Sequence, residues 1–271
     1  MIHRNSLLTA ILIFSFSLLL LYFWLAYNIL GSPLVLNPGD FIFDQYFWLN
    51  YGPPGTFNLV AQLVQSGLLL VFGLVIGFLV RRHFQRTASI QSFFVAIFFF
   101  LLCLDTLKLF IPLFAQWNMS YFFSVIASRL VYGFRLLELF TLLALSIYTL
   151  GFEYQKSNHI LFGAVGISLG LMFYWPMDTQ GVTSSLLVKL SEEPAMVFVN
   201  LTLFLLASGS LIISGFINGE RKRFEEAGIL ALFLVGRTAT YFPFTYIPGM
   251  VTLLLGTLLM IRSRKDDALG L

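Results

Sequence analysis

Long apolar runs recur along the whole chain and decide what it can fold into. They lie at about residues 6–31, 55–80, 89–115, 121–150, 159–175, 195–217, 227–242 and 247–262. A helix needs roughly 20 apolar residues to cross a bilayer core of about 30 Å. Because most of the runs reach that length, the sequence predicts an all-α bundle of about eight transmembrane helices. We expect residues 1–271 to form one transmembrane domain.

Charged residues are scarce, at 11% of the chain, and the mean hydropathy is +0.88. A soluble domain contains about 25% charged residues, so the outer surface of this bundle is expected to meet lipid. Within these residues no polar stretch is long enough for a soluble kinase, nucleotidase or nucleic-acid-binding domain. The first apolar run exceeds the roughly 7–15 apolar residues of a signal peptide, so we interpret it as the first span.

The basic residues between the apolar runs are unevenly placed. If the N-terminus is cytoplasmic, the outer loops contain only Lys189. The cytoplasmic segments then hold Arg4, Arg81, Arg82, Arg86, Lys156, Arg221, Lys222, Arg223, Arg262, Arg264 and Lys265. Lysine and arginine accumulate in this way on the cytoplasmic side of membrane proteins. The pattern predicts cytoplasmic N- and C-termini and explains a pI near 9.0 without nucleic acid. The expected location is a bacterial inner membrane.

The last two apolar runs are short, and Pro243 and Pro248 lie at their junction. Together they extend from Ala227 to Ile261, which is too long for one span. We interpret them as two helices joined by a tight turn. The alternative is a re-entrant hairpin that does not fully cross and leaves the C-terminus on the side from which the hairpin enters.

Six ionisable residues fall inside the predicted spans. They are Asp105 and Lys108 in the third span, Arg129, Arg135 and Glu138 in the fourth, and Arg237 in the seventh. An ionised side chain at mid-bilayer costs between about 2.5 and 17 kcal/mol, depending on the system. These side chains are therefore expected to face the bundle interior, a wet cavity or one another.

Helix spacing and depth predict which charges meet. Asp105 and Lys108 are three residues apart and share a helix face, as do Arg135 and Glu138. Antiparallel third and fourth spans place Asp105 and Arg135 at similar depth. Arg237 lies near the middle of its predicted helix, so Glu138 is its expected partner. The third, fourth and seventh spans should therefore meet at these charges.

Four bases against two acids leave an excess of positive charge inside the spans. One interpretation is a site for an anion, such as a carboxylate, a phosphate or a lipid headgroup, because unpaired charge in a low dielectric needs compensation. In the other interpretation, Lys108 and Arg129 extend to the outer interface. The remaining four charges then form structural pairs.

Uncharged polar residues also concentrate in the outer halves of the spans. Asn58, Gln62 and Gln65 share a face of the second helix, and Asn200, Thr238 and Thr240 lie in later spans. They predict a polar pocket open to the outside, or else interhelical hydrogen bonds worth about 0.6 kcal/mol each. The candidate ligand-binding residues are Asn58, Gln62, Gln65, Asp105, Lys108, Arg129, Tyr132, Arg135, Glu138 and Arg237.

Other motifs point to no cofactor. His3, His83 and His159 fall at predicted helix ends, so neither haem nor an intramembrane metal is expected. Gly73 and Gly77 form a Gly-x-x-x-Gly motif, which is typical of a close helix contact within the bundle or of an oligomer face.

The leading hypothesis is a non-enzymatic membrane module that senses a ligand or binds a partner, since the spans lack a catalytic constellation. Its expected partners are membrane lipid, an anionic small molecule or lipid headgroup, or another membrane subunit. The alternative is a transporter or channel for a small anion or zwitterion. A third hypothesis is an enzyme that acts on a lipid-linked substrate through Asp40 or Asp44 in the first outer loop. No motif in the chain identifies a protein family.

Overall fold

The chain folds into a helical bundle with one small β-hairpin. The computed structural model describes residues 2–31, 56–87, 90–150, 157–182, 186–191, 193–241 and 245–268. Its helices are α1 (Ile2–Gly31), α2 (Thr56–Thr87), α3 (Ile90–Leu104), α4 (Phe110–Gln116), α5 (Tyr121–Thr149), α6 (Ser157–Tyr174), α7 (Glu193–Asn218), α8 (Arg221–Thr240) and α9 (Tyr246–Ala268). A 3₁₀ segment, Asp105–Leu109, joins α3 to α4, and antiparallel strands β1 (Met177–Val182) and β2 (Val188–Leu190) precede α7. The predicted helical bundle is confirmed.

Within the described ranges, six helical stretches are long and apolar enough to cross a membrane. They are Leu8–Gly31, Val60–Arg82, Gln91–Gln116, Tyr121–Thr149, Ala195–Asn218 and Tyr246–Ser263. The apolar part of α6, Leu161–Tyr174, is shorter. Helix α8 is outside this set, and five of its first six residues are charged. The six stretches indicate that the bundle inserts into a membrane. Two of the eight predicted spans, which correspond to α6 and α8, do not reach the same length and apolarity.

Helices α3 and α5 form the centre of the bundle. Helix α3 packs against α1, α2 and α5, while α5 also contacts α6, α7 and α8. Helix α9 packs along α8 in the antiparallel direction, since Gly249 lies beside Gly236 and Gly256 beside Ile229. A Cβ on Gly249 would lie 2.8 Å from the Gly236 carbonyl oxygen, so only glycine allows the two backbones this close.

The Gly-x-x-x-Gly motif of α2 faces the interior. A Cβ on Gly73 would lie 2.3 Å from Cys103 Sγ on α3, and one on Gly77 would lie 3.3 Å from the Leu12 side chain on α1. The motif therefore serves a close contact within the bundle, which is the first of the two roles that its sequence allowed.

The two ends of the bundle differ in charge. At one end the Arg223 guanidinium donates to the Thr149 carbonyl oxygen, and Gln91 Nε2 lies 3.4 Å from Thr149 Oγ1. Arg81 donates to Thr9 Oγ1 at 2.9 Å at this end, close to the start of α1. We call it the basic end. The opposite end, where β1 and β2 lie, is called the hairpin end.

The third span is broken by the 3₁₀ segment between α3 and α4. Pro112 provides no N–H, and a proline ring clashes with the carbonyl four residues earlier, here that of Lys108. The Phe110 N–H donates instead to the Leu107 carbonyl, three residues back. In a 3₁₀ helix residues i and i+3 lie directly above one another. The break therefore aligns Asp105 with Lys108.

Candidate functional site

Two cations bind the buried carboxylate of Asp105. Lys108 Nζ lies 2.7 Å from Asp105 Oδ2, while Arg135 Nε and Nη2 lie 2.8 Å and 2.7 Å from Oδ1. The predicted contacts of Asp105 with Lys108 and Arg135 are confirmed. Lys108 is fully buried, so it does not extend to the outer interface as the second interpretation required.

The second carboxylate, Glu138, binds Arg237. Arg237 Nε lies 2.7 Å from Glu138 Oε2, as the sequence predicted, and Arg237 Nη2 donates to the backbone carbonyl of Arg135. The expected position of Arg237 in the middle of its helix is wrong, because α8 begins at Arg221 and Arg237 lies in its last turn. The third span, α5 and α8 meet at these charges.

Tyr241, directly after α8, completes the cluster. Its hydroxyl donates to Glu138 Oε2, and its ring centroid lies 4.0 Å from Arg135 Cζ and 5.0 Å from Arg237 Cζ. An aromatic face attracts cations, so one ring holds two guanidinium groups in place. Sequence analysis missed Tyr241 although it follows Arg237 by four residues, a spacing that shares a helix face. We call Asp105, Lys108, Arg135, Glu138, Arg237 and Tyr241 the charge centre.

Helix α8 ends inside the bundle beside the charge centre. A helix leaves its last carbonyls without partners, and lipid provides no water to bind them. Here Thr240 Oγ1 donates to Arg237 O at 2.7 Å, Thr245 Oγ1 donates to Ala239 O at 2.8 Å, and Gln65 Nε2 donates to Thr240 O. Gln65 and Thr240 are both buried. The predicted site residue Gln65 therefore contacts the end of α8, beside the charge centre.

Arg129, another predicted site residue, lies apart from the charge centre. It donates to the carbonyl oxygens of Met172, at 3.1 Å, and Phe173. These carbonyls belong to the C-terminal turn of α6, where the helix dipole also favours a cation. Arg129 therefore binds the end of a helix and contributes no charge to the charge centre.

The remaining predicted residues divide into those near the centre and those outside it. The Tyr132 ring centroid lies 5.9 Å from Arg135 Cζ, and Gln62 is fully buried on α2, one turn from Gln65. Thr238 is exposed and donates within its own helix.

Other predicted positions fall outside what the structure describes. Asn58 belongs to α2, but its side chain lies outside the described residues, and so do Asp40 and Asp44. Asn200 on α7 is described and half-buried, and its Oδ1 accepts no hydrogen bond within the described part of the chain.

The charge centre contains three cations and two carboxylates, which leaves one positive charge in excess. Among the described residues, Glu138 Oε1, Gln65 Oε1 and Ser66 Oγ are buried and accept or donate no hydrogen bond. Buried polar atoms of this kind bind water or a polar ligand. Within the same ranges no three His, Cys, Asp or Glu side chains are grouped to hold a metal ion. The one excess positive charge is the feature that an anion would balance, whereas the two unpartnered carboxylate and amide oxygens are acceptors that need a donor such as water.

No family model, no curated protein and no solved structure matches the chain. Any function must therefore be inferred from the charge centre and its surroundings.

Proposed function

We propose that this protein is a non-enzymatic membrane module that binds an anionic ligand at the charge centre. The observation that carries the proposal is the excess positive charge among buried side chains of the third span, α5 and α8. Uncompensated charge away from water is costly, so a bound carboxylate, phosphate or lipid headgroup would stabilise this arrangement. The sensing of such a ligand, or of a partner subunit that supplies the anion, is the proposed role.

In the proposed membrane placement the basic end faces the cytoplasm of a bacterial cell, and both termini lie there. The arginines at this end support that orientation. We favour the re-entrant arrangement for α8 and α9. Arg237, in the last turn of α8, contacts Glu138 on α5. Glu138 lies only about 16 Å from the end of α5 at 1.5 Å per residue, so α8 ends close to that depth. A crossing would require about 30 Å.

Thermal unfolding of the purified protein tests the binding proposal. Inorganic phosphate and acetate, added separately at constant ionic strength, and nanodiscs with or without phosphatidylglycerol are the probes. We expect at least one anion to raise the melting temperature saturably, because a ligand that binds only the folded state stabilises it. In the Lys108→Met variant the shift should disappear.

The matched control is Arg82→Gln, since Arg82 is exposed at the end of α2 and distant from the charge centre. This variant should keep the full shift. If no probe stabilises the folded protein, or if Lys108→Met responds as the unmodified protein does, the proposal is wrong.

A transporter for a small anion or zwitterion is the second candidate, and one observation favours it. The 3₁₀ segment of the third span and the end of α8, both departures from a regular membrane-spanning α-helix, contribute side chains to the charge centre. Secondary transporters often build their substrate sites from broken helices near the middle of the membrane. The same geometry therefore supports a site that moves its ligand.

Uptake into reconstituted vesicles tests this candidate. We expect Arg135→Gln to abolish uptake of a radiolabelled anion while the protein stays monodisperse, and Arg135→Lys to restore part of it because the charge returns. Equal uptake by Arg135→Gln, Arg237→Gln and the unmodified protein would eliminate transport through this site.

A further inference from the structure

Three apolar residues of the β-hairpin are inserted into the hairpin end of the bundle. Leu186, Leu187 and Val188 are all buried. Leu186 packs in one apolar cluster with side chains from α1, α2, the 3₁₀ segment and α4. Those side chains are Leu25, Ile29, Leu63, Leu109 and Leu113. The hairpin thus fills the space among helices at the end where sequence analysis expected an open polar pocket.

This inserted segment contacts α5 on the face that carries Arg135, on the side of the charge centre toward the hairpin end. The Val188 N–H donates to Ser128 Oγ at 2.9 Å, and Ser128 is fully buried on α5. Ser128, Tyr132 and Arg135 follow one another at intervals of four and three residues, so they share a face of α5. Seven residues correspond to about 10 Å along the helix. About two turns of α5 therefore separate the contact with Val188 from the ion pair of Arg135.

Two local irregularities occur in the segment and in the hairpin that carries it. Leu186 has a φ of 64°, a left-handed conformation that is unfavourable for a leucine. The register of β1 and β2 shifts between Asp178 and Val182. A two-stranded hairpin has little stability of its own. Burial of the leucine side chains and the hydrogen bond from Val188 to Ser128 hold the segment in place against local strain, and such strain clusters at functional sites and switch regions.

We propose that Leu186, Leu187 and Val188 form a plug that closes the charge centre, and that its withdrawal opens a path from the hairpin end to Lys108. The part that concerns ligand entry rests on the proposed function. The opening itself does not, because it is a property of the hairpin alone. Withdrawal of the plug would give a ligand access from the hairpin end to a charge centre that is otherwise buried.

Cysteine labelling measures the opening without any ligand. The natural Cys103 is changed to serine, and Lys108→Cys provides the only thiol; Asp105 keeps Arg135 as its partner in this variant. The negatively charged thiol reagent sulfonatoethyl methanethiosulfonate is added in water. We expect slow labelling, and a rate at least about tenfold higher after Leu186→Ala, since truncation of a buried leucine destabilises the closed state.

The control for labelling is Leu258→Ala, because Leu258 is half exposed on α9 and distant from the hairpin. Its labelling rate should equal that of the parent. Equal rates in Leu186→Ala and Leu258→Ala would overturn the plug, and so would fast labelling in the parent.

A second variant covers the case in which Leu186→Ala does not fold. In the Cys103→Ser background, Ser128→Cys and Val188→Cys place two thiols where the hydrogen bond lies, within expected disulfide reach. Oxidation should abolish the phosphate- or acetate-induced thermal shift, and reduction should restore it. A shift that persists in the oxidised protein would contradict the plug. If no anion binds yet labelling still depends on Leu186, the plug stands and the proposed ligand does not.

Discussion

The charge centre and the turn between α7 and α8 contain the same kinds of ion pair in opposite surroundings. At the turn, Arg223 Nε lies 3.0 Å from Glu220 Oε2 and Arg221 Nε lies 3.9 Å from Glu225 Oε1. The Arg221 side chain is 94% exposed, whereas that of Arg237 in the charge centre is 5% exposed. The charge centre withholds water from its ions, whereas Arg221 and Glu225 are mostly exposed to it.

This difference in exposure shows which ion pairs determine how the helices are arranged. For Arg221 and Glu225, water can replace either partner, so the pair adds little free energy and follows a geometry that is set elsewhere. Arg223, which is 20% exposed, is an intermediate case. In the charge centre, loss of Asp105, Glu138 or Arg237 leaves a buried ion without compensation in a low dielectric. The buried pairs therefore fix which helices meet and at what depth, and four substitutions test the contrast.

The largest effect is expected from Arg237→Gln. The change leaves Glu138 buried without its cation, and breaking a buried pair in this way costs about 3–5 kcal/mol. Unfolding of the purified protein in denaturant, followed by tryptophan fluorescence, measures the loss. A loss below about 1 kcal/mol, the range of exposed pairs, would abolish the contrast.

The double variant Glu138→Gln with Arg237→Gln should lose less than the sum of its two single variants. Once both charges are removed, no ion remains unpaired at this position, and coupled sites deviate from additivity by about 0.5–3 kcal/mol. A double-mutant cycle from the same unfolding measurement gives the coupling. Strict additivity would show that Glu138 and Arg237 act independently.

Tyr241→Phe is expected to have an intermediate effect. The ring stays beside Arg135 and Arg237, but Glu138 loses a hydrogen bond, which costs about 1–3 kcal/mol in a buried site. Tyr27→Phe on α1 is the matched control because Tyr27 is largely exposed. Equal midpoints of unfolding for the two variants would exclude a role for the Tyr241 hydroxyl.

The smallest effect belongs to Arg221→Gln. Because its partner Glu225 is also mostly exposed, the midpoint of unfolding should not change measurably. Added salt should leave the difference between this variant and Arg237→Gln intact, since buried pairs are screened much less. A destabilisation as large as that of Arg237→Gln would mean that exposure does not separate the two regions.

The pairings in the charge centre could be predicted because hydrocarbon restricts where ions can lie. Residue spacing alone predicted that Asp105 pairs with Lys108. Matched depth in the membrane predicted the carboxylate partners of Arg135 and Arg237. The position of Arg237 within α8 could not be predicted, since the apolar run gives no sign that the helix begins among the charges at Arg221. That shift places Arg237 at a helix end.

Other features depended on contacts that no local pattern reveals. The β-hairpin occupies a segment that sequence analysis treated as an outer loop, and three consecutive apolar residues are too few to indicate burial by periodicity. The partner of Arg129 could be recognised only once the end of α6 was known. Pro112, by contrast, was a readable signal for the break in the third span.

The contact between Arg129 and α6 has a consequence for the surrounding lipid. The apolar stretch Leu161–Tyr174 is about 21 Å long at 1.5 Å per residue, against about 36 Å for Leu8–Gly31 on α1. Tyr174 and Phe173 are exposed at its end, where aromatic rings settle among headgroups. A short helix thins the adjoining bilayer. We therefore expect the bilayer to be thinner beside α6, where headgroups at the hairpin end approach the bundle more deeply than they do beside α1.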